Sequence, residues 1–296
     1  MSSDEQEVGG AMFEKIVVGY DQSEGSRDAL ALAGQVASRF DSAITVVTTV
    51  PSPVGGSFVP SLPADAYTNL SEGAKAAAEE AAEPLGASVV ISEATSPAFG
   101  LEQVAESEGA DLVVIGCART DAGRVRAGHK AHQLMSGGEA AVLLAPVGYA
   151  SGGSIGKVGV AVNGTPESDR AIGVAAAFAG EGPLKVISVA TDFADYWGHW
   201  TAGTVMADLA DASREAAQKS LDDAVAKVPV GTMPEPLMVD GDAIMELRAA
   251  SDGDLDLLCL GSRSYGPVRR VLLGSTSSGV VADAGCAVLV VPRPDS

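Results

Sequence analysis

Lys15-Ile16-Val17-Val18-Gly19-Tyr20-Asp21-Gln22-Ser23 and Lys157-Val158-Gly159-Val160-Ala161-Val162-Asn163-Gly164-Thr165 are two versions of one pattern. Each opens on a lysine, runs through an apolar strand and ends in a short polar turn. Each then enters an Ala-rich helix. Ala29-Leu30, Ala33, Val36-Ala37 and Phe40 follow the first, and Ala171-Ile172, Val174-Ala175 and Phe178-Ala179 the second. Both sets recur at helical spacing and mark a buried face.

Working outward, the correspondence continues at nearly constant offset. Ile44–Val50 matches Leu184–Ala190 as a second strand, and Ala87–Ser92 matches Pro236–Gly241 as a third. Leu112–Gly116 and Leu257–Gly261 are fourth strands, and Ala141–Pro146 and Ala287–Pro292 are fifth. Helical segments are expected around 72–83 and 207–227, then 101–107 and 243–250. Short strands apolar on both faces, alternating with helices, read as a parallel sheet covered on both sides. The expected fold class is therefore α/β: two tandem doubly wound, Rossmann-like domains, each with a five-stranded parallel sheet flanked by helices. The expected division is a disordered tail at 1–12, a first domain at 13–148, a Gly-rich linker at 149–154 and a second domain at 155–293.

Composition limits the functions open to such a chain. Its 296 residues carry a formal net charge of −20, which opposes DNA, RNA and anionic lipid. No apolar run approaches the ~18 residues of a membrane span, and the polar N-terminus has no apolar signal-peptide segment. The three cysteines, Cys117, Cys259 and Cys286, are an odd count, with two inside apolar runs, and read as reduced and buried. A cytoplasmic protein is expected. An anionic ligand would need a local source of positive potential.

The turn after the fourth strand of copy two offers one. It runs from Gly261 through Arg263, Ser264, Arg269 and Arg270 to Gly274-Ser275-Thr276-Ser277, where a final helix opens toward Ala284. Ligands of doubly wound sheets bind outside the carboxyl ends of the strands. Gly261 lets the backbone leave the sheet close to a ligand. Free N–H groups and hydroxyls at the helix start suit phosphate, and the arginines supply charge. A plain Gly-rich connection with a Ser/Thr cap accounts for the same residues. Neither GxxxxGK[ST] nor GxGxxG is present at these turns.

The repeat, the Val18-Gly19-Tyr20-Asp21-Gln22-Ser23 opening and the Gly261…Gly274-Ser275 stretch together resemble the universal stress protein family in its tandem-domain form. ATP-binding members of that family carry Gly-x-x-Gly, nine residues, then Gly-Ser or Gly-Thr after the fourth strand. Copy two reads Gly261-x-x-Ser264, nine residues, Gly274-Ser275. The resemblance implies that the end of strand one, Ala161-Val162-Asn163, and Val189 at the end of strand two lie near a nucleoside. Gly261, Arg263, Ser264, Gly274, Ser275, Thr276 and Ser277 would then face the phosphates. Asn163 stands where the family has Asp and keeps hydrogen-bonding capacity without the charge. Copy one departs elsewhere. It keeps Asp21 and Ser23, but its loop reads Gly116-Cys117-Ala118-Arg119…Gly128-His129-Lys130. Aligning Gly128 with Gly274 needs a one-residue deletion and replaces Ser-Thr by His129-Lys130. One copy is expected to bind and the other mainly to complete the fold.

The resemblance also implies that the last strands pair, Val142–Leu144 against Val288–Val290, making the chain an internal pseudo-dimer open to further homodimerisation. The expected cofactor is ATP, with Mg²⁺ bridging phosphate oxygens. The expected partners are an adenine nucleotide and a protein of unknown identity. No metal site of the chain's own is expected: His129 and His132 find no completing ligands, and solvated histidines are favoured. Phe193, Tyr196, Trp197 and Trp200 read as packing for a connection or as a base-lining cluster, and 51–63 as a mobile loop. Asp208, Asp211, Asp222 and Asp223 read as a solvated helix face. No nucleophile–base–orienter set is legible. The leading function is a regulatory nucleotide-binding module of the stress response. The alternatives are an interaction module that binds no nucleotide and a slow ATPase.

Overall fold

The computed structural model describes residues 12–52, 64–117, 123–135, 139–191, 203–262 and 274–292. The tail before residue 12, the 53–63 stretch, the aromatic group at 193–200 and the 263–273 loop, with Arg263 and Ser264, lie outside them.

The two lysine-led stretches form strands β1 (Lys15–Gly19) and β6 (Val158–Val162). β1 is followed by α1 (Glu24–Phe40), β2 (Ala43–Pro51), α2 (Ala64–Ala82), β3 (Ser88–Ala94) and α3 (Pro97–Glu108). β4 (Leu112–Gly116), α4 (His129–Leu134) and β5 (Ala141–Ala145) close copy one. Copy two repeats the order with α5 (Pro166–Ala179), β7 (Pro183–Thr191), α6 (Gly203–Val225), β8 (Met233–Gly241), α7 (Ala243–Asp252), β9 (Leu257–Gly261), α8 (Ser275–Val281) and β10 (Ala287–Val291). Within each copy every strand pairing is parallel, as the doubly apolar strands require.

The two sheets are one. Strand order is β3-β2-β1-β4-β5-β10-β9-β6-β7-β8, and the central pair β5–β10 is antiparallel. Leu143 faces Leu289, flanked by Val142 with Val290 and Leu144 with Val288, and neither leucine is exposed at all. These are the residues expected at the seam of a pseudo-dimer. Both apolar layers continue across it. On one face Phe13, Phe40 and Phe178 meet with centroids 5.0–5.9 Å apart, the Phe40 ring edge-on to the other two. Such pairs each add about 0.5–1.5 kcal/mol beyond their buried area.

Repeated residues do repeated work. The Asp111 carboxylate accepts the N–H groups of Glu14 and Lys15 at 2.9 and 3.0 Å, and Asp256 accepts those of Gly156 and Lys157 at 2.9 and 2.8 Å. Each aspartate thereby holds the start of its strand one beside the start of its strand four. The join between copies is clamped as well. Buried Asp28 on α1 accepts from Gly148 N–H and Ala150 N–H, both at 2.8 Å, and Gln35 bonds the Tyr149 hydroxyl and the Gly153 carbonyl.

Element bounds differ where local signals compete. α3 begins four residues before the expected 101, because Ser96 caps it and Pro97 suits the first helical position. β8 begins at Met233, although Pro234 and Pro236 lie within it. Proline is tolerated there because β8 is an edge strand. α8 ends at Val281, short of the expected Ala284, whose backbone instead pairs with Val125.

Candidate functional site

Strands β6, β7 and β9 end on the same side of the sheet, and each end contributes to one cleft. Residue 163 leaves β6 into a turn whose next residue, Gly164, has φ +71°, and a Cβ there would sit 2.9 Å from Ser220 Oγ. Copy one makes the same turn with Gln22 at φ +64°, a conformation that costs a non-glycine residue about 1–2 kcal/mol. Thr165 caps α5 by accepting from Ser168 N–H, and its hydroxyl donates to Asn163 Oδ1 at 2.7 Å. Asn163 thus spends its carbonyl within the protein and keeps its amide hydrogens for another acceptor. Asp21 in copy one differs: its carboxylate accepts from Ser23 N–H at 3.1 Å.

Gly261 ends β9 against the first turn of α5. A Cβ on it would lie 2.7 Å from the Glu167 carbonyl carbon and oxygen, and 2.9 Å from Ser168 N. The helix backbone by itself therefore requires glycine here. Gly116 repeats this in copy one, where Gly25 O would be met. The Gly261 carbonyl in turn accepts the Ser277 hydroxyl at 2.9 Å. Gly274 starts α8 without a side-chain cap, and Gly128 does the same for α4.

The cleft encloses about 660 Å³ out to open solvent. Of the residues named from sequence, Ala161, Val162, Asn163, Val189, Gly261, Gly274, Thr276 and Ser277 line it. Ser275 is exposed at the start of α8 and is not among the lining residues. Ile187, Leu247 and Leu260 give the cleft apolar walls, while Thr165, Glu167 and Ser168 add polar groups from α5. Sequence reading missed these six and Ala243. Thr165-Pro166-Glu167 carried a helix-start signal, but Leu247 reaches the cleft only through the packing of α7. Glu167 is the one carboxylate among the lining residues, and none of the described lining side chains is a cation.

Leu101 of α3 stands where Leu247 stands in copy two. Its Cδ2 lies 3.3 Å from where a Cβ on Gly19 would be. Burial pushes the thiol of Cys117, just past β4, up to about 11, so that thiol stays protonated at neutral pH. All three cysteines are free and buried. Asp208, Asp211, Asp222 and Asp223 are exposed on α6.

With this geometry in view, comparison with known proteins is decisive. The model of the universal stress protein family matches residues 12–146 and again residues 154–292. The chain belongs to the universal stress protein family. It carries the family domain twice. A universal stress protein from Archaeoglobus fulgidus DSM 4304 superposes with a TM-score of 0.66 at 18% identity, covering 95% of this chain and 99% of that one. A functionally unknown protein from Pseudomonas aeruginosa PAO1 gives 0.60 at 20%, covering 96% and 94%. A universal stress protein in complex with cAMP is 21% identical, with 35% of this chain and 76% of that chain covered and a TM-score of 0.29. No curated protein matches the sequence. Among the described residues no universal stress protein helix here is long and apolar enough to cross a membrane, and no group of three or more His, Cys, Asp or Glu could hold a metal.

Proposed function

We propose that this universal stress protein binds an adenine nucleotide, ATP first, in the cleft of copy two, and works in the cytoplasm as a regulatory binding module and not as a dedicated enzyme. The observation that carries the reading is a convergence. Eight residues named from the sequence, on three strand ends and one helix start, line a single cleft.

The division of chemistry along the cleft fits such a ligand. Ile187, Leu247 and Leu260 offer an apolar surface to a base. The free amide hydrogens of Asn163 suit a ribose oxygen. Gly274, Thr276 and the uncapped start of α8 offer donors to phosphate. Glu167 opposes an anion there, so Arg263, Arg269 and Arg270 of the adjoining loop supply the offsetting charge in this reading. With no carboxylate set to hold it among the described residues, Mg²⁺ would travel on the phosphate oxygens. Copy one, with His129-Lys130 in place of the Ser-Thr pair, completes the sheet in this reading.

Equilibrium dialysis of the purified chain against labelled ATP tests this. Saturable binding of one nucleotide per chain supports it, and no binding at millimolar ATP rejects it in favour of an interaction module. Accumulation of ADP with time would instead identify an ATPase.

A further inference from the structure

α8 builds one wall of the copy-two cleft, yet at seven residues it is too short to be stable on its own. Its N-terminal end has no side-chain cap. Besides the Ser277 bond to Gly261 O near its start, it is held at the other end, where the last carbonyls of a helix lack partners within it. One of them, Gly279 O, accepts Arg248 Nε and Nη2 of α7 at 3.1 and 2.6 Å. Another, Val281 O, accepts Ala127 N–H at 2.8 Å, and Ala127 belongs to copy one.

The contact extends on both sides. Val125 N–H donates to Ala284 O at 2.7 Å and Val125 O accepts from Ala284 N–H at 3.1 Å, with the Val125 side chain wholly buried. Arg124 Nε reaches Asp283 Oδ1 at 2.6 Å, Nη1 reaches Asp252 Oδ1 at 2.9 Å, and Nη2 reaches Asp283 O at 3.3 Å. Arg124 thus fastens the ends of α7 and α8 together, and both helices line the cleft at their other residues, Ala243 and Leu247 in one, Thr276 and Ser277 in the other. In repeat alignment residues 123–128 of copy one occupy the place of the loop that leads to Gly274 in copy two. Copy one has spent that loop on its neighbour.

We propose that residues 123–127 of copy one are a strap that positions α8, so that the cleft of copy two is shaped by copy one. Arg124 is its principal positioning residue. Regulation follows: whatever loosens the strap weakens the ligand, and by linkage the ligand tightens the strap. The ligand half of this inference rests on the nucleotide reading above, and the strap half does not.

Amide hydrogen exchange of the full chain, with ATP affinity measured in parallel, tests both halves. Without nucleotide, Arg124→Gln should speed exchange of Ser278 N–H, which bonds Gly274 O at 2.8 Å, by about fivefold or more while the β6 amides hold. Arg124→Lys should restore part of the protection. Ala127→Pro, which deletes the donor to Val281 O, should act in the same direction. With ATP, Arg124→Gln should raise Kd by about fivefold or more, and saturating ATP should slow exchange at Val125 and Ala127 of the wild type. Unchanged Ser278 exchange in both variants overturns the strap. Faster exchange with unaltered Kd overturns its control of the cleft. If the wild type binds no ATP, the nucleotide reading falls, and the Ser278 arm alone decides the strap.

Discussion

Ser277 donates its hydroxyl to the carbonyl of Gly261 across 2.9 Å, joining the start of the last helix to the end of strand β9. The bond lies between the two glycine positions that a sequence reader assigns to a ligand, and it makes one of them, Gly261, a structural anchor. The cleft is therefore a by-product of packing as much as a pocket set aside: α5 presses on Gly261, and Gly261 holds α8.

Ser277→Ala removes that bond and leaves the Gly261 carbonyl without this partner. A loss of about 1 kcal/mol in unfolding free energy is expected, with weaker ATP binding because α8 is freed at the cleft. Urea midpoints and equilibrium dialysis on the same preparation check the pair of effects.

Gly261→Ala should be the more damaging change. Its Cβ would press within 2.7 Å of the Glu167 carbonyl, which is helix backbone and cannot rotate away. Overpacking of this kind costs about 1–3 kcal/mol. Gly123→Ala, where a Cβ would meet nothing within 4 Å but φ is +83°, makes an instructive control for backbone strain alone.

The β5–β10 seam predicts cooperativity. Leu289→Ala opens space beside Leu143 at the middle of the ten-stranded sheet and should cost about 2–5 kcal/mol. Because the apolar layers cross the seam, circular dichroism and a fluorescence probe placed in either copy should report one shared transition. Two separated transitions would show that the copies unfold alone.

The strap predicts a mild acid sensitivity. The hydrogen bond from Arg124, and then the charges of Arg124, Arg126 and Arg248, hold Asp283 below the usual carboxylate range. A carboxyl lowered on folding contributes stability that is complete above its unfolded value and is lost as pH falls through its folded value. With the pair partly exposed and screened, the contribution is about 0.2–1 kcal/mol. The stability difference between wild type and Asp283→Asn should accordingly be present at pH 7 and vanish in strong acid.

The fold was largely legible because each strand is apolar on both faces and occurs twice at the same spacing. The pairing of Val142–Leu144 with Val288–Val290 needed the family resemblance, since nothing in those residues names a partner strand. What stayed hidden are the contacts that clamp the join and bind one copy to the other. Asp28, Gln35 and Arg124 look like ordinary helix or loop polars in sequence, and only folding brings them to Gly148, Gly153 and Asp283. At the site, strand ends and glycines could be named because their positions follow from the repeat. Leu247 and Ser168 could not, because they reach the cleft through helix packing. Gly261 was named for ligand approach, and the structure adds that the backbone of α5 leaves no room for a side chain there.

A paired substitution tests the central claim, that the nucleotide sits in copy two. Gly274→Asp and Gly128→Asp place the same carboxylate at the equivalent helix start of each copy. The measurement is ATP affinity of each variant against the wild type by isothermal titration. The account predicts that Gly274→Asp abolishes binding and Gly128→Asp leaves it intact. Loss of binding in Gly128→Asp with full affinity in Gly274→Asp would contradict it.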